Sequence, residues 1–167
     1  MAGPNVFEPD FDGGSERPGF TMKRARLGRQ AGADRLGASL YELPPGQSPW
    51  PYHAHLGNEE MLIVLRGRPH LRTTGGWRQL SEGELVSFQV GERGAHQVQN
   101  RTDEPVHILM VSEMRAPEIA IYPDSGKVGL FGRSPGSAAE GIALYVARES
   151  GVDYWEGEEP PSGGARG

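Results

Sequence analysis

The stretch Pro51-Tyr52-His53-Ala54-His55-Leu56-Gly57-Asn58-Glu59-Glu60-Met61-Leu62-Ile63-Val64-Leu65 decides the reading of this chain. In a strand, residues i and i+2 point to one face, so His53 and His55 aim both imidazoles to the same side. Leu56-Gly57-Asn58 is turn-like, and Glu60 then opens an apolar run. That run would lie beside the histidine strand and bring a carboxylate next to both imidazoles. Residues 61–65 do not alternate, and neither does Ile108-Leu109-Met110-Val111. Strands apolar on both faces need cover inside and outside. The expected outer cover is the N-terminal arm, the C-terminal segment or a second subunit, and a homodimer with the arm contributing is expected.

Outward from this stretch, short runs rich in Val, Ile, Leu and Phe are broken by Gly, Pro, Asn and Asp. Strands are expected at Lys23–Leu27, Leu36–Leu43, Pro51–His55, Glu60–Leu65, His70–Thr74, Trp77–Leu80, Leu85–Phe88, Ala95–Gln99 and Val106–Ser112. Turns sit between them at Leu43-Pro44-Pro45-Gly46, Thr74-Gly75-Gly76 and Thr102-Asp103-Glu104-Pro105. Strands this short and evenly spaced indicate an all-β barrel or sandwich. Further on, Glu118–Tyr122 reads as a strand and Val128–Phe131 as its partner across Asp124-Ser125-Gly126-Lys127, while Ile142–Val146 has no clear type. The expected division is an N-terminal arm over 1–20, a barrel over 21–131 and a C-terminal extension over 132–167. Gly132–Gly141 reads as a loop and Glu156–Gly167 as disordered.

Composition narrows the function. The chain has 167 residues, enough for one domain with tails. With no cysteine, disulfides, thiolate ligands and cysteine nucleophiles are excluded. A net charge of −5 argues against a nucleic-acid partner. The basic run Lys23, Arg24, Arg26 and Arg29 is the local exception, read as a solvated strand or an intersubunit contact. Neither a signal peptide nor a membrane-spanning run is seen, so a cytoplasmic chain without a membrane partner is expected.

Five histidines occur, at 53, 55, 70, 96 and 107. In an antiparallel barrel, the strand carrying His96 can face His53 and His55 across the interior. Three imidazoles and a carboxylate suit Fe, Mn, Co, Ni, Cu or Zn. An octahedral ion held by His53, His55, Glu60 and His96 would keep two positions for water or substrate. His70 is expected near a strand start and exposed, and His107 as a core histidine or a donor behind the ligands. Glu59 is expected to be exposed. Trp50 and Tyr52 read as core or rim, and Asn100 as the residue that ends its strand.

The segment Gly46–Gly67, with His53-x-His55, Glu60 and a closing Gly67, resembles the first motif of the cupin family. The spacing from Glu60 to Gly67 matches and favours Glu60 over Glu59 as a ligand. The segment Gly83–Asn100 resembles the second cupin motif, with His96 and the His96-x-x-x-Asn100 spacing intact. Two gaps are longer than the family pattern, Gly46 to His53 by one residue and Gly91 to His96 by two, and Gln89 stands where proline is usual. Arg17–Phe20, Leu36–Gly46 and Tyr122–Val128 resemble a bacterial group of single-domain cupins loosely labelled sugar-phosphate-isomerase-like. The resemblance implies a double-stranded β-helix, a jelly-roll barrel, with one divalent metal ion (Mn, Fe, Ni or Zn) on His53, His55, Glu60 and His96.

The fold hosts isomerases, epimerases, dioxygenases, decarboxylases, storage proteins and sensors, so it leaves the reaction open. One reading is an enzyme acting on a small oxygen-rich metabolite, isomerase- or dioxygenase-like. Leu62, Val64 and Val98 would then exclude water, with Glu59, Tyr52 or His107 as candidate acid or base. The other is a non-catalytic binding or sensor module with a structural metal.

Overall fold

The computed structural model describes residues 3–132 and 141–159. The strands in chain order are β1 (Gly13–Ser15), β2 (Met22–Ala25), β3 (Leu36–Leu43), β4 (Ala54–His55), β5 (Glu60–Arg66), β6 (His70–Thr73) and β7 (Gly76–Gln79). They continue as β8 (Leu85–Phe88), β9 (Gln97–Gln99), β10 (Val106–Glu113), β11 (Glu118–Tyr122), β12 (Lys127–Phe131) and β13 (Ala143–Ala147). One helical turn, α1 (Leu27–Gln30), follows β2.

One wall is the six-stranded sheet β1-β2-β3-β10-β5-β8, antiparallel throughout. Opposite it stand β13-β12-β11-β4 and β7-β6-β9. These two pieces meet at an isolated antiparallel bridge between His53 and His96. His53 N–H donates to His96 O at 3.1 Å, and His96 N–H returns to His53 O at 2.8 Å. The backbone of two candidate ligands thus stitches the second wall together.

The period of two in each strand sorts side chains to the two faces. On β10, Val106, Ile108 and Met110 are buried inside, and His107, Leu109 and Val111 face out, half-buried. Leu62 and Val64 of β5 join the interior with Leu71, Val98 and Phe88. The outer face is covered in part: Val6 and Phe11 of the arm and Leu27 of α1 pack with Ala25, Leu40, Leu65 and Leu109. Leu36, Met61 and Leu85 stay exposed.

Several expectations shift. The basic strand stops at Ala25, because Leu27–Gln30 turns into α1. The histidine strand shortens to Ala54–His55, because His53 spends its backbone on the bridge to His96. The strand after His96 begins at Gln97 for the same reason. Residues Ala143–Ala147, of no clear type in the sequence, form β13 and pair with β12. Residues 133–140 of the expected loop and 160–167 of the expected disordered tail lie outside the described residues.

Leu40 is fully buried between the sheet and the arm. Leu40→Ala should cost about 2–5 kcal/mol in urea unfolding. Phe7→Ala, at a side chain that is 79% exposed, should stay within about 0.5 kcal/mol. Equal effects would mean that the arm does not cover Leu40 in solution.

Candidate metal centre

Glu60 opens β5 with the inward parity of Leu62 and Val64, which puts its carboxylate inside the barrel. The bridge at His53 and His96 sets those imidazoles beside it. Ligand atoms of His53, Glu60 and His96 lie within 4.8 Å of one another, a group that could hold a metal ion. His55 adjoins this trio, its Nε2 standing 3.0 Å from His53 Nε2 and 3.2 Å from Glu60 Oε2.

The protons of the three rings are assigned by their other nitrogens. His53 Nδ1 lies 3.0 Å from Pro51 O, and His96 Nδ1 lies 3.0 Å from Gly94 O. A carbonyl oxygen can only accept, so both Nδ1 atoms carry the proton and donate it. His55 Nδ1 donates likewise to Glu118 Oε1 at 3.2 Å. In the neutral rings, three bare Nε2 lone pairs then converge with the Glu60 carboxylate. Among the described residues, His96 Nε2 is buried and has no hydrogen-bond partner; Glu60 Oε2, 3.3 Å away, is close but not aligned to make one. An orphaned buried acceptor among like acceptors is what a bound cation would satisfy.

Without a bound ion, the electrostatics separate the rings. Burial, with the neighbouring His96 and His55, pushes His53 down to about 3, so it stays neutral. Burial works against a charge on His55 too, but Glu118 and Glu60 outweigh it and push His55 up to about 9. Burial also opposes ionisation of Glu60, yet the adjoining His55 and His96 rings hold it well below the usual carboxylate range.

Some contributors were not legible as functional in the sequence. Glu118 is 1% exposed and was read only as the start of a strand. Hydrophobic alternation in Glu118-Ile119-Ala120-Ile121-Tyr122 points Ile119 inward, but the structure buries Glu118 and Ala120 and leaves Ile119 exposed. Asn58 Nδ2 donates to Glu118 Oε2, and Asn58 Oδ1 accepts from Arg115 N–H at 2.8 Å. Phe88 stacks on His96 with centroids 3.8 Å apart, and Tyr122 stacks on His53 at 5.8 Å. Trp50, read as core or rim, sets its edge against both rings at 6.0 and 6.1 Å.

The other candidates separate. His107 faces outward and pairs with Glu42 at 3.1 Å, so it stands behind no ligand. His70 is half-buried rather than exposed, with Nδ1 unpartnered among the described residues. Glu59 is exposed, as expected. Tyr52 is buried with Arg72 over its ring at 4.1 Å. Asn100 ends its strand by donating to Leu43 O and Glu104 O at 2.9 and 2.8 Å.

A cavity of about 260 Å³ opens beside the cluster, lined by His53, His55 and Glu60 together with Tyr41, Trp50, Ser39, Ser112 and Met110. Arg24, Arg26 and Arg29 also line it, so the basic run is neither a plain solvated strand nor free of the centre.

Residues 39–112 match the sequence model of the cupin domain. These residues form a cupin domain. They hold both motifs, and the surrounding sheets give the double-stranded β-helix that the motifs imply. Among solved structures, a cupin-superfamily sugar phosphate isomerase of Silicibacter pomeroyi aligns with a TM-score of 0.73 at 24% identity, over 89% of this chain and 94% of that one. The proposed sugar phosphate isomerase of Acidithiobacillus ferrooxidans aligns with a TM-score of 0.71 at 24% identity, over 81% and 82%. The polyketide cyclase RemF of Streptomyces resistomycificus aligns at 0.55 and 22% identity, over 71% and 83%. The resemblance to the sugar-phosphate-isomerase-like cupins therefore holds at the level of fold. No curated protein matches the sequence. Among the described residues, no helix is long and apolar enough to cross a membrane.

Gly94 presents the carbonyl that orients His96 and sits in the 3-10 turn Glu92–Gly94. A Cβ there would stand 1.8 Å from Gln89 O, so the turn must open to admit it. Gly94→Ala should destabilise the fold by about 1–3 kcal/mol in thermal unfolding. Gly75→Ala, whose added Cβ meets only Thr73 Oγ1 at 3.6 Å, should change little. A silent Gly94→Ala would mean that the turn does not hold His96.

Proposed function

We propose that this cupin binds one divalent metal ion on His53, His55, Glu60 and His96 and uses it to act on a small oxygen-rich metabolite. The observation that carries the reading is the geometry of the rings: each places Nδ1 against an acceptor, and the Nε2 atoms of His55 and His96 stand 3.2 and 3.3 Å from Glu60 Oε2, with His53 in the same cluster. A donor set of three imidazoles and one carboxylate suits Mn, Fe, Ni or Zn. When bound, such an ion supplies a Lewis acid that polarises a carbonyl or enediol oxygen, or a place for an oxidant. The chain's own residues do the rest. Glu118 and Asn58 hold His55, while Leu62, Val64 and Val98, all at most 1% exposed, keep water from the barrel's inner side.

A second reading, a non-catalytic binding or sensor barrel with a structural metal, has one observation in its favour. Among the described residues lining the cavity, no carboxylate or imidazole stands apart from the cluster itself to serve as acid or base. Glu59, Tyr52 and His107 do not line it. Calorimetric binding of a metabolite without turnover would support this second reading.

Elemental analysis of the untagged chain should find near-stoichiometric Mn, Fe, Ni or Zn, lost in the His53→Ala/His96→Ala double variant. No metal in either protein after reloading would sink the proposal. Glu118→Gln should weaken metal affinity by about 10–100-fold in a chelator competition, with an unchanged circular dichroism spectrum. Unchanged affinity would mean that Glu118 does not orient His55 toward the ion.

A further inference from the structure

The cavity above the cluster has a second chemical character that the metal reading does not use. β2 pairs with β3 so that Arg24 stands opposite Tyr41, while Lys23 stands opposite Glu42 and Ala25 opposite Leu40. Tyr41 faces inward, its ring packed at 5.0 Å on Trp50. Arg24 shares that inward face, and Met22, two residues earlier, packs against the barrel core. Lys23 takes the outer face and pairs with Glu42 at 2.9 Å. The register therefore sends one cation of the basic run into the barrel.

The three arginines at the cavity are not equivalent. Arg26 is matched by Asp12, with Nε 3.2 Å from Oδ1. Among the described residues, neither Arg24 nor Arg29 has a carboxylate within ion-pair distance. Among the described residues, Arg24 Nε is buried and lacks a hydrogen-bond partner, while the rest of its guanidinium interacts with the Tyr41 side chain. A buried guanidinium N–H left unpaired is costly, and a ligand oxygen is one way to satisfy it. Gly13, on the neighbouring strand, leaves it room: a Cβ there would come within 3.2 Å of a terminal Arg24 nitrogen. Glu60, the acid lining the cavity, is already engaged by His55 and His96.

We infer that the cavity takes a small metabolite bearing a phosphate or carboxylate group, and that Arg24, with Arg29 at the mouth, binds this anionic group. Arginine suits the task because its planar fork matches the oxygens of either group. The remaining oxygens of such a molecule would face the histidine cluster. The inference rests on the proposed reading of that cluster as the reactive end of the cavity, but the anion contact belongs to the arginines and does not need the metal.

The test uses the full chain, with and without added metal, and three probes on one carbon skeleton: glycerol 3-phosphate, glycerate and glycerol. Calorimetry should show the phosphate or the carboxylate binding at least about tenfold more tightly than glycerol, and the tighter of the two names the anion. Arg24→Gln should remove that preference, and Arg24→Lys should restore part of it. Arg29→Gln, at an exposed side chain that the fold does not need, should weaken it by about threefold. Arg101→Gln, whose guanidinium lies over Trp77 at 3.8 Å and outside the cavity, should leave it within about twofold. Three probes binding alike to the wild-type chain, or none binding at 10 mM (about the weakest contact of use), would overturn the inference. So would a folded Arg24→Gln variant that keeps the preference. Metal content is measured on the same samples after reloading: anion preference in a chain that takes up no added metal refutes the metal reading alone, and metal uptake without anion preference refutes this inference alone.

Discussion

The rest of the structure depends on the antiparallel bridge between His53 and His96. Two backbone hydrogen bonds there join β4 to β9 and so close the second wall. The same bond pair sets the two imidazoles side by side, with centroids 4.7 Å apart. Fold and chemistry share a single constraint at this point. A change that loosened the bridge would open the barrel and scatter the candidate ligands together.

Around the bridge, polar satisfaction is nearly complete except where chemistry would need it incomplete. Pro51 O, Gly94 O and Glu118 each accept one ring proton, and Asn58 holds Glu118 in turn. The atoms left over include His96 Nε2 on the cluster and Arg24 Nε on the cavity wall. Buried polar atoms without partners are rare in folded proteins; Arg24 and Trp50 line the cavity, and His96 stands on the cluster beside it. The His96 atom offers a lone pair that suits a cation, and the Arg24 atom an N–H that suits an anion.

The outer face of the six-stranded sheet shows how a small barrel manages strands that are apolar on both sides. Leu40, Leu65 and Leu109 would be wet without Val6 and Phe11 of the arm and Leu27 of α1. Covering a leucine is worth about 1.5–3 kcal/mol, enough to order an arm that has no regular period of its own. The arm also adds β1 beside β2, which holds Arg24 between two strands.

Much of this was legible before any coordinates. The spacing of two in His53-Ala54-His55 and the place of Glu60 at the head of an apolar run follow from the period of a strand alone. So do the inward Leu62, Val64 and Val98, because alternation is a local property of the backbone. The part played by Glu118 was hidden, because its strand runs against its own hydrophobic pattern and its partner His55 lies 63 residues away. The direction of Arg24 was hidden as well. A basic run shows charge but not face, and only the pairing of Arg24 with Tyr41 decides that it turns inward while Lys23 turns out. The sequence by itself determined most of the strands, the candidate ligand types and their spacing, since these depend on neighbours in the chain. The tertiary structure alone decided which distant carboxylate steadies His55 and which arginine enters the cavity, since those depend on strand register across the sheet.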